Sequence, residues 1–248
     1  MKYKKMLLSV LTACIIVLAC TACADNSSSS GNDTGENTEA AVDEQQPTEN
    51  ETVSENTNED AEAGNVLIAY FSRVGNTDFP EDIDAVSSAS LMVNDGSLVG
   101  NTQYVAELIQ QNTEGEIFLI ETEEKYPADY DETDEQGYRE NRDRVRPELK
   151  SHVTDMDGYD IIYLGFPNWY YDMPMAVYSF LEEYDLSGKT IIPFCTSGGG
   201  GFSASISSIA ELQPGANVIT DGFTVSHSRT ADVTADDIRE WISSLGLN

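Results

Sequence analysis

Beyond residue 23 the chain has a single cysteine, Cys195, so no disulfide can close within that part and no thiolate cluster can hold zinc. Histidine is nearly as scarce. The whole chain has two, His152 and His227, neither in a metal-binding spacing nor in a Ser-His-Asp order, which leaves hydrolase and metal-centre readings without support. Neither histidine is assigned a role. Basic residues are few as well: 13 Lys and Arg face 44 Asp and Glu, for a net charge of −31. Residues 65–248 hold 32 of the acids and 10 of the bases, about −22. A surface of that sign repels nucleic acid and anionic membrane faces alike.

What is present begins with an address. Lys2, Lys4 and Lys5 precede an apolar core, Met6–Ala19, of signal-peptide length and too short for a comfortable membrane span. Val17-Leu18-Ala19-Cys20 resembles a bacterial lipoprotein cleavage box, with Cys20 (or Cys23) as the lipidated residue. The alternatives are an ordinary secreted protein or an uncleaved anchor. Residues 1–23 are therefore expected to be a lipoprotein signal peptide and lipobox. Residues 24–64 hold 12 acidic and no basic side chains and almost nothing apolar, so a disordered tether is expected there. A flexible segment of that length spans roughly 35–40 Å root-mean-square. Residues 65–248 then form one domain of ordinary size.

Within the domain, Ile161–Leu164 is an unbroken apolar run, as a strand buried on both faces requires. Gly165 and Pro167 end it, three aromatic rings come next (Trp169, Tyr170, Tyr171), and Pro174 opens an amphipathic stretch, Met175–Tyr184. Four further strands read from Val66–Phe71, Glu116–Ile120, Lys189–Cys195 and Val218–Val225. Helical spacing begins after Thr102, Ser203 and Thr234, and a surface helix is expected over Glu132–Arg144. An insert, Phe79–Gly100, contains a hairpin turning at Asn94-Asp95-Gly96. Five strands alternating with helices predict an α/β domain with a doubly wound parallel sheet. Ligands of such sheets sit beyond the carboxyl ends of the strands. Cys195 at a strand end reads as a small core residue rather than a redox thiol.

Three loops at those strand ends, Tyr70–Thr77, Gly165–Trp169 and Pro193–Phe202, resemble the flavodoxin-like family, and more narrowly the lipoprotein-type flavodoxins of Gram-positive bacteria. The resemblance implies a five-stranded sheet of order 2-1-3-4-5 and one non-covalent FMN at its switch point. On that reading Ser72, Asn101 and Thr102 would hold the phosphate, and Arg73 could pair with it or with surface acids. Trp169 would stack on the isoalloxazine, with Pro167, Asn168 and Tyr170 beside it. Thr196, Ser197, Gly198, Gly199 and Phe202 would line the ring from the third loop, whose glycines admit close main-chain approach. Two departures stand out: Tyr170 occupies a position often filled by a second Trp, and the insert separates two Gly-Asn-Thr copies. The second copy, Gly100-Asn101-Thr102, is expected to bind phosphate because it leads into a helix, whereas Thr77 leads into a run of acids.

The expected function is a membrane-tethered flavoprotein on the extracytoplasmic face of the bacterial membrane. It would exchange electrons with an unidentified redox protein or small-molecule acceptor, and it would touch no nucleic acid. Alternatives are an NAD(P)H-dependent FMN or quinone reductase and a non-redox binding protein on the same scaffold. Asp172 and the acidic surface would disfavour adding negative charge to the flavin.

Overall fold

The computed structural model describes residues 65–81, 83–84 and 90–247. The signal peptide, the lipidation site at Cys20 or Cys23 and the acidic tether lie outside these residues. In chain order the elements are β1 (Val66–Tyr70), β2 (Leu91–Asn94), β3 (Ser97–Gly100), α1 (Asn101–Thr113), β4 (Glu116–Leu119), α2 (Tyr130–Asp143), β5 (Ile161–Pro167), α3 (Met175–Glu183), β6 (Thr190–Ser197), α4 (Ser205–Leu212), β7 (Asn217–Val218), β8 (Phe223–Ser226) and α5 (Ala235–Ser244).

The main sheet runs β4-β1-β5-β6-β7, with β8 also on β6 and every pairing parallel. This is the 2-1-3-4-5 order with its fifth strand in two pieces. Alternation along β1 puts Leu67 and Ala69 in the core under α3 and α4, and Ile68 and Tyr70 in the core under α1 and α5. The central runs are apolar throughout because helices cover both faces. Leu67, Ile68, Ala69, Ile162 and Leu164 are all fully buried. The hairpin β2–β3 turns on Asp95 and Gly96, both at positive φ (48° and 78°), as a two-residue type I′ turn demands.

The last strand departs from the expected Val218–Val225. Ile191 pairs with Val218 and Phe194 with Phe223, so the outer strand spends two more residues than β6 between these points. Pro193 is the cause. The carbonyls of Lys189 and Ile191 face the outer strand, accepting from Asn217 N and Ile219 N at 2.9 Å each. By alternation Pro193 turns its nitrogen the same way, and that nitrogen has no hydrogen to give. The strand leaves the ladder there and rejoins at Phe223. The surface helix begins two residues earlier than expected, because Asp129 Oδ1 accepts from Glu132 N at 3.0 Å and caps it.

At the end of β5, Gly165 lies opposite Phe194 of β6. A β-carbon on Gly165 would fall 2.1 Å from the Phe194 ring. Only glycine leaves room for this aromatic to cross under the strand end.

Candidate functional site

The two Gly-Asn-Thr copies take opposite roles. In the first, Val74 and Gly75 form a tight turn (Gly75 φ 96°) and Asn76 is wholly buried. Asn76 Nδ2 donates to the carbonyls of Ser72 and Ile120, both at 2.9 Å. Its Oδ1 accepts from Thr122 N at 2.7 Å and from Thr122 Oγ1 at 3.0 Å. Two donors and two acceptor sites are all engaged, so this side chain staples the loop after β1 to the loop after β4. It has nothing left for a ligand.

The second copy leaves one side-chain amide without a partner among the described residues. Gly100 precedes α1, and a β-carbon there would lie 1.9 Å from Ser72 Oγ. The missing side chain lets the hairpin return against Ser72. Asn101 and Thr102 come next, each 1% exposed. Thr102 Oγ1 shares a 2.9 Å hydrogen bond with Thr196 Oγ1. Asn101 Nδ2 and Oδ1 are both buried without a partner among the described residues. A buried amide left unpaired costs about 1–3 kcal/mol for each unsatisfied group, so its natural complement is a polar ligand. Thr77 Oγ1 and Ser205 Oγ are also buried and without a partner among the described residues. Ser72, Asn101, Thr102 and Thr196 thus form one polar cluster at the start of α1, where Asn101 N donates to Ser90 O at 2.9 Å and the N–H groups after it in the first turn favour an anion.

Beside the cluster opens a cleft of about 370 Å³ at the carboxyl ends of the strands. Of the residues expected at a ligand site, Arg73, Asn168, Trp169, Tyr170, Thr196, Ser197 and Gly198 line it. Ser72, Asn101 and Thr102 are not among its lining residues, and the cluster joins the cleft through the bond from Thr102 to Thr196, which lines it. Pro167 pairs with Thr196 in the sheet. Gly199 is in the third loop at φ 128° and is not among the lining residues. Phe202 turns inward, its ring 6.3 Å from Phe166, and packs on the core instead of the cleft. Ser90, Tyr130, Thr133, Asp134 and His227 also line the cleft, none of them anticipated from the sequence. His227 directly succeeds Ser226, which pairs with Ser197 at the end of β6. Its position just past a strand end was the signal that could have flagged it. His152, by contrast, pairs with Glu183 at 2.6 Å away from the cleft.

Arg73 is 1% exposed, and its guanidinium is turned to main chain. Nη2 donates to Pro127 O and Ala128 O at 3.1 Å and to Thr133 Oγ1 at 3.2 Å. Burial pulls its pKa down, while nearby Tyr130 and Asp129 push it back up. It pins the loop after β1 to the start of α2. Cys195 is 1% exposed, and burial pushes its thiol up to about 12, so it is no thiolate nucleophile.

Trp169 is half-buried and stands edge-on to two rings, Phe71 at 5.4 Å and Tyr126 at 5.3 Å. Asn168 Nδ2 donates to Gly201 O at 2.7 Å, and Asn168 N to Thr196 O at 2.8 Å, tying the aromatic loop to the glycine loop. Trp169 and Asp172 then close a two-residue turn through bonds of 2.8 and 3.1 Å. Tyr170 and Tyr171 occupy its centre at φ 53° and 62°. Asn and Gly normally take such positions, since the left-handed conformation costs other residues about 1–2 kcal/mol each. Tyr170 has compensation: its hydroxyl donates to Asp134 O and its ring meets Tyr138 at 5.6 Å. Burial raises its pKa strongly. Tyr171 is 77% exposed. Tyr171→Gly is accordingly expected to raise the unfolding free energy by about 0.5–1 kcal/mol after glycine's added chain entropy is subtracted. Urea denaturation measures this, and a loss of stability would mean the exposed ring contributes to the fold.

Asp172, expected to add charge near the ligand, faces inward instead. It accepts from Met173 N (2.9 Å), Tyr178 Oη (2.7 Å) and Ser208 Oγ (3.2 Å), and it does not line the cleft. The acid on the cleft is Asp134.

The family profile described as "Flavodoxin" matches residues 90–245. Flavodoxin 1 of Salmonella typhimurium (strain LT2) is 30% identical over 103 residues, 40% of this chain and 44% of that protein, so the alignment spans less than half of the relative's length. A candidate flavoprotein from Bacteroides uniformis, solved by crystallography, has 27% identity and a TM-score of 0.56, covering 73% of this chain and 99% of its own. Another from Bacteroides eggerthii has the same TM-score at 23% identity, covering 75% and 99%, a likeness of fold alone.

Proposed function

The chain belongs to the flavodoxin family, and from that premise we propose that it is a membrane-tethered electron-transfer protein whose cleft holds FMN. Bound FMN supplies reversible redox chemistry, and the protein supplies its binding and electrostatics. The observation that carries this reading is the buried side-chain amide of Asn101, without a partner among the described residues, at the start of α1. A phosphate there would meet the Asn101 side-chain amide, the Ser72 and Thr102 hydroxyls and the helix N–H groups that follow Asn101 N. Trp169 and Tyr170 would border the flat ring, and main chain at Ser197 and Gly198 would approach its polar edge. Arg73 and Asn168 line the cleft and hold its loops in register.

The tether and lipid anchor complete the proposal. The cationic start, short apolar core and Cys20 (or Cys23) support export and lipidation, which would leave the domain on the outer side of the membrane. Soluble nicotinamide is scarce outside the membrane and the sequence offers no second dinucleotide site, so electron exchange is preferred over a nicotinamide-dependent reductase.

Adding a second electron to flavin in this site places charge beside Asp134 and within the field of a domain at about −22. The second-electron potential of the bound flavin is therefore expected to lie below that of free FMN. Raising the salt should shift it only modestly, because near charges are screened less than distant ones. A potentiometric titration of the FMN-loaded protein checks this, and a second-step potential above that of free FMN contradicts it.

A further inference from the structure

Trp169 rests on Tyr126, whose hydroxyl in turn bonds a buried acid. Its ring is 5.3 Å from that of Tyr126, with the planes at 82°. Tyr126 is 2% exposed, and its hydroxyl donates to Glu140 Oε2 at 2.9 Å. Glu140 Oε1 accepts from Gln136 Nε2 at 2.8 Å. Glu140 is 8% exposed on a helix whose other acids all face solvent. Phe and an apolar partner would support Trp169 without the cost of burying a carboxylate.

We propose that Trp169, Tyr126 and Glu140 form a proton-coupled relay that draws an oxidising equivalent out of the cleft and leaves it on Tyr126. The proposal rests on the FMN reading of the cleft. The oxidant is photoexcited flavin, to which Trp169 gives one electron. Tyr126 then returns one electron to Trp169. As it does so its O–H bond breaks, and the proton crosses the 2.9 Å hydrogen bond to Glu140 Oε2. The sum is one electron from Tyr126 to the flavin and one proton from Tyr126 to Glu140, with Trp169 restored.

The surroundings favour this direction. Burial holds the Tyr126 phenol well above its ordinary pKa, so it keeps its proton until it is oxidised. Burial also raises Glu140, making it a better proton acceptor than an exposed carboxylate. Tyr170 lines the cleft too, but its hydroxyl donates to a main-chain carbonyl, Asp134 O, a far weaker base.

The test is transient absorption on the full chain loaded with FMN, after a blue-light pulse. In the wild type a tryptophan radical signal should give way to a neutral tyrosyl signal. Tyr126→Phe keeps the ring and should lose the tyrosyl signal, leaving the tryptophan signal to decay by direct return. Glu140→Gln keeps a hydrogen-bond acceptor but removes the proton acceptor, and its tyrosyl yield should fall while FMN stays bound. A tyrosyl signal that persists in Tyr126→Phe, or full yield in Glu140→Gln, overturns the relay alone. A chain that takes up no FMN overturns the relay together with the reading beneath it.

Discussion

Trp169→Ala is expected to weaken FMN binding by about 1–3 kcal/mol, roughly 5- to 150-fold, the range for removing an aromatic platform from under a planar ring. Trp169 lines the cleft while its edges rest on Phe71 and Tyr126. That support fixes the ring before a ligand arrives, so little ordering entropy is lost on stacking. The loop around it is fixed as well, by the Asn168 bonds to Gly201 and Thr196 and by the closed turn to Asp172. Riboflavin should lose affinity by the same factor, because the contact is made to the ring and not to the phosphate. Fluorescence titration of the variant with both flavins reads the effect. Unchanged affinity would move the platform to Tyr170, the other aromatic of this loop on the cleft.

The second large effect distinguishes the two Gly-Asn-Thr copies. Thr102→Ala should cost FMN about 1.5–3 kcal/mol, the worth of a hydrogen bond to a charged group, or roughly 10- to 150-fold. Riboflavin, which lacks the phosphate, should bind the variant almost as it binds the wild type. Thr77→Ala should change neither affinity by a comparable factor. The Asn76 side chain of the first copy is fully engaged in tying two loops together, while the Asn101 side-chain amide of the second has no partner among the described residues. Thr77 Oγ1 is also buried and without a partner among the described residues, so the comparison is a fair one. Loss of FMN affinity in the Thr77 variant alone would reverse the assignment.

Much of this arrangement was legible in the chain. The runs Val66–Phe71, Ile161–Leu164 and Lys189–Cys195 announce buried parallel strands because they are almost wholly apolar and each gives way to a glycine or to a polar, glycine-containing loop. The contrast between the two Gly-Asn-Thr copies was visible in their downstream neighbours, acids after Thr77 and a helical period after Thr102. Other features depended on tertiary geometry. Pro193 reads as one residue of a strand, and its effect falls on a neighbour 25 or more positions away, where the outer strand splits. Phe202 was placed at the ligand by proximity to the glycine run, but no periodicity fixes which way a loop residue points. Tyr130, Thr133 and Asp134 reach the cleft because α2 folds back over it, and a polar surface helix carries no sign of what it covers. Asp172 looked like a ligand-facing charge until Tyr178 and Ser208 from two later helices were seen to claim it.

The central claim, that this cleft is an FMN site with its phosphate end at Asn101 and Thr102, meets its most direct test in a titration of the full chain. Wild-type protein is added to FMN and, separately, to riboflavin, and flavin fluorescence is recorded to the end point. FMN should be quenched at one flavin per chain, with riboflavin bound more weakly by the worth of its missing phosphate. Equal affinity for the two flavins, or quenching of neither, would contradict it.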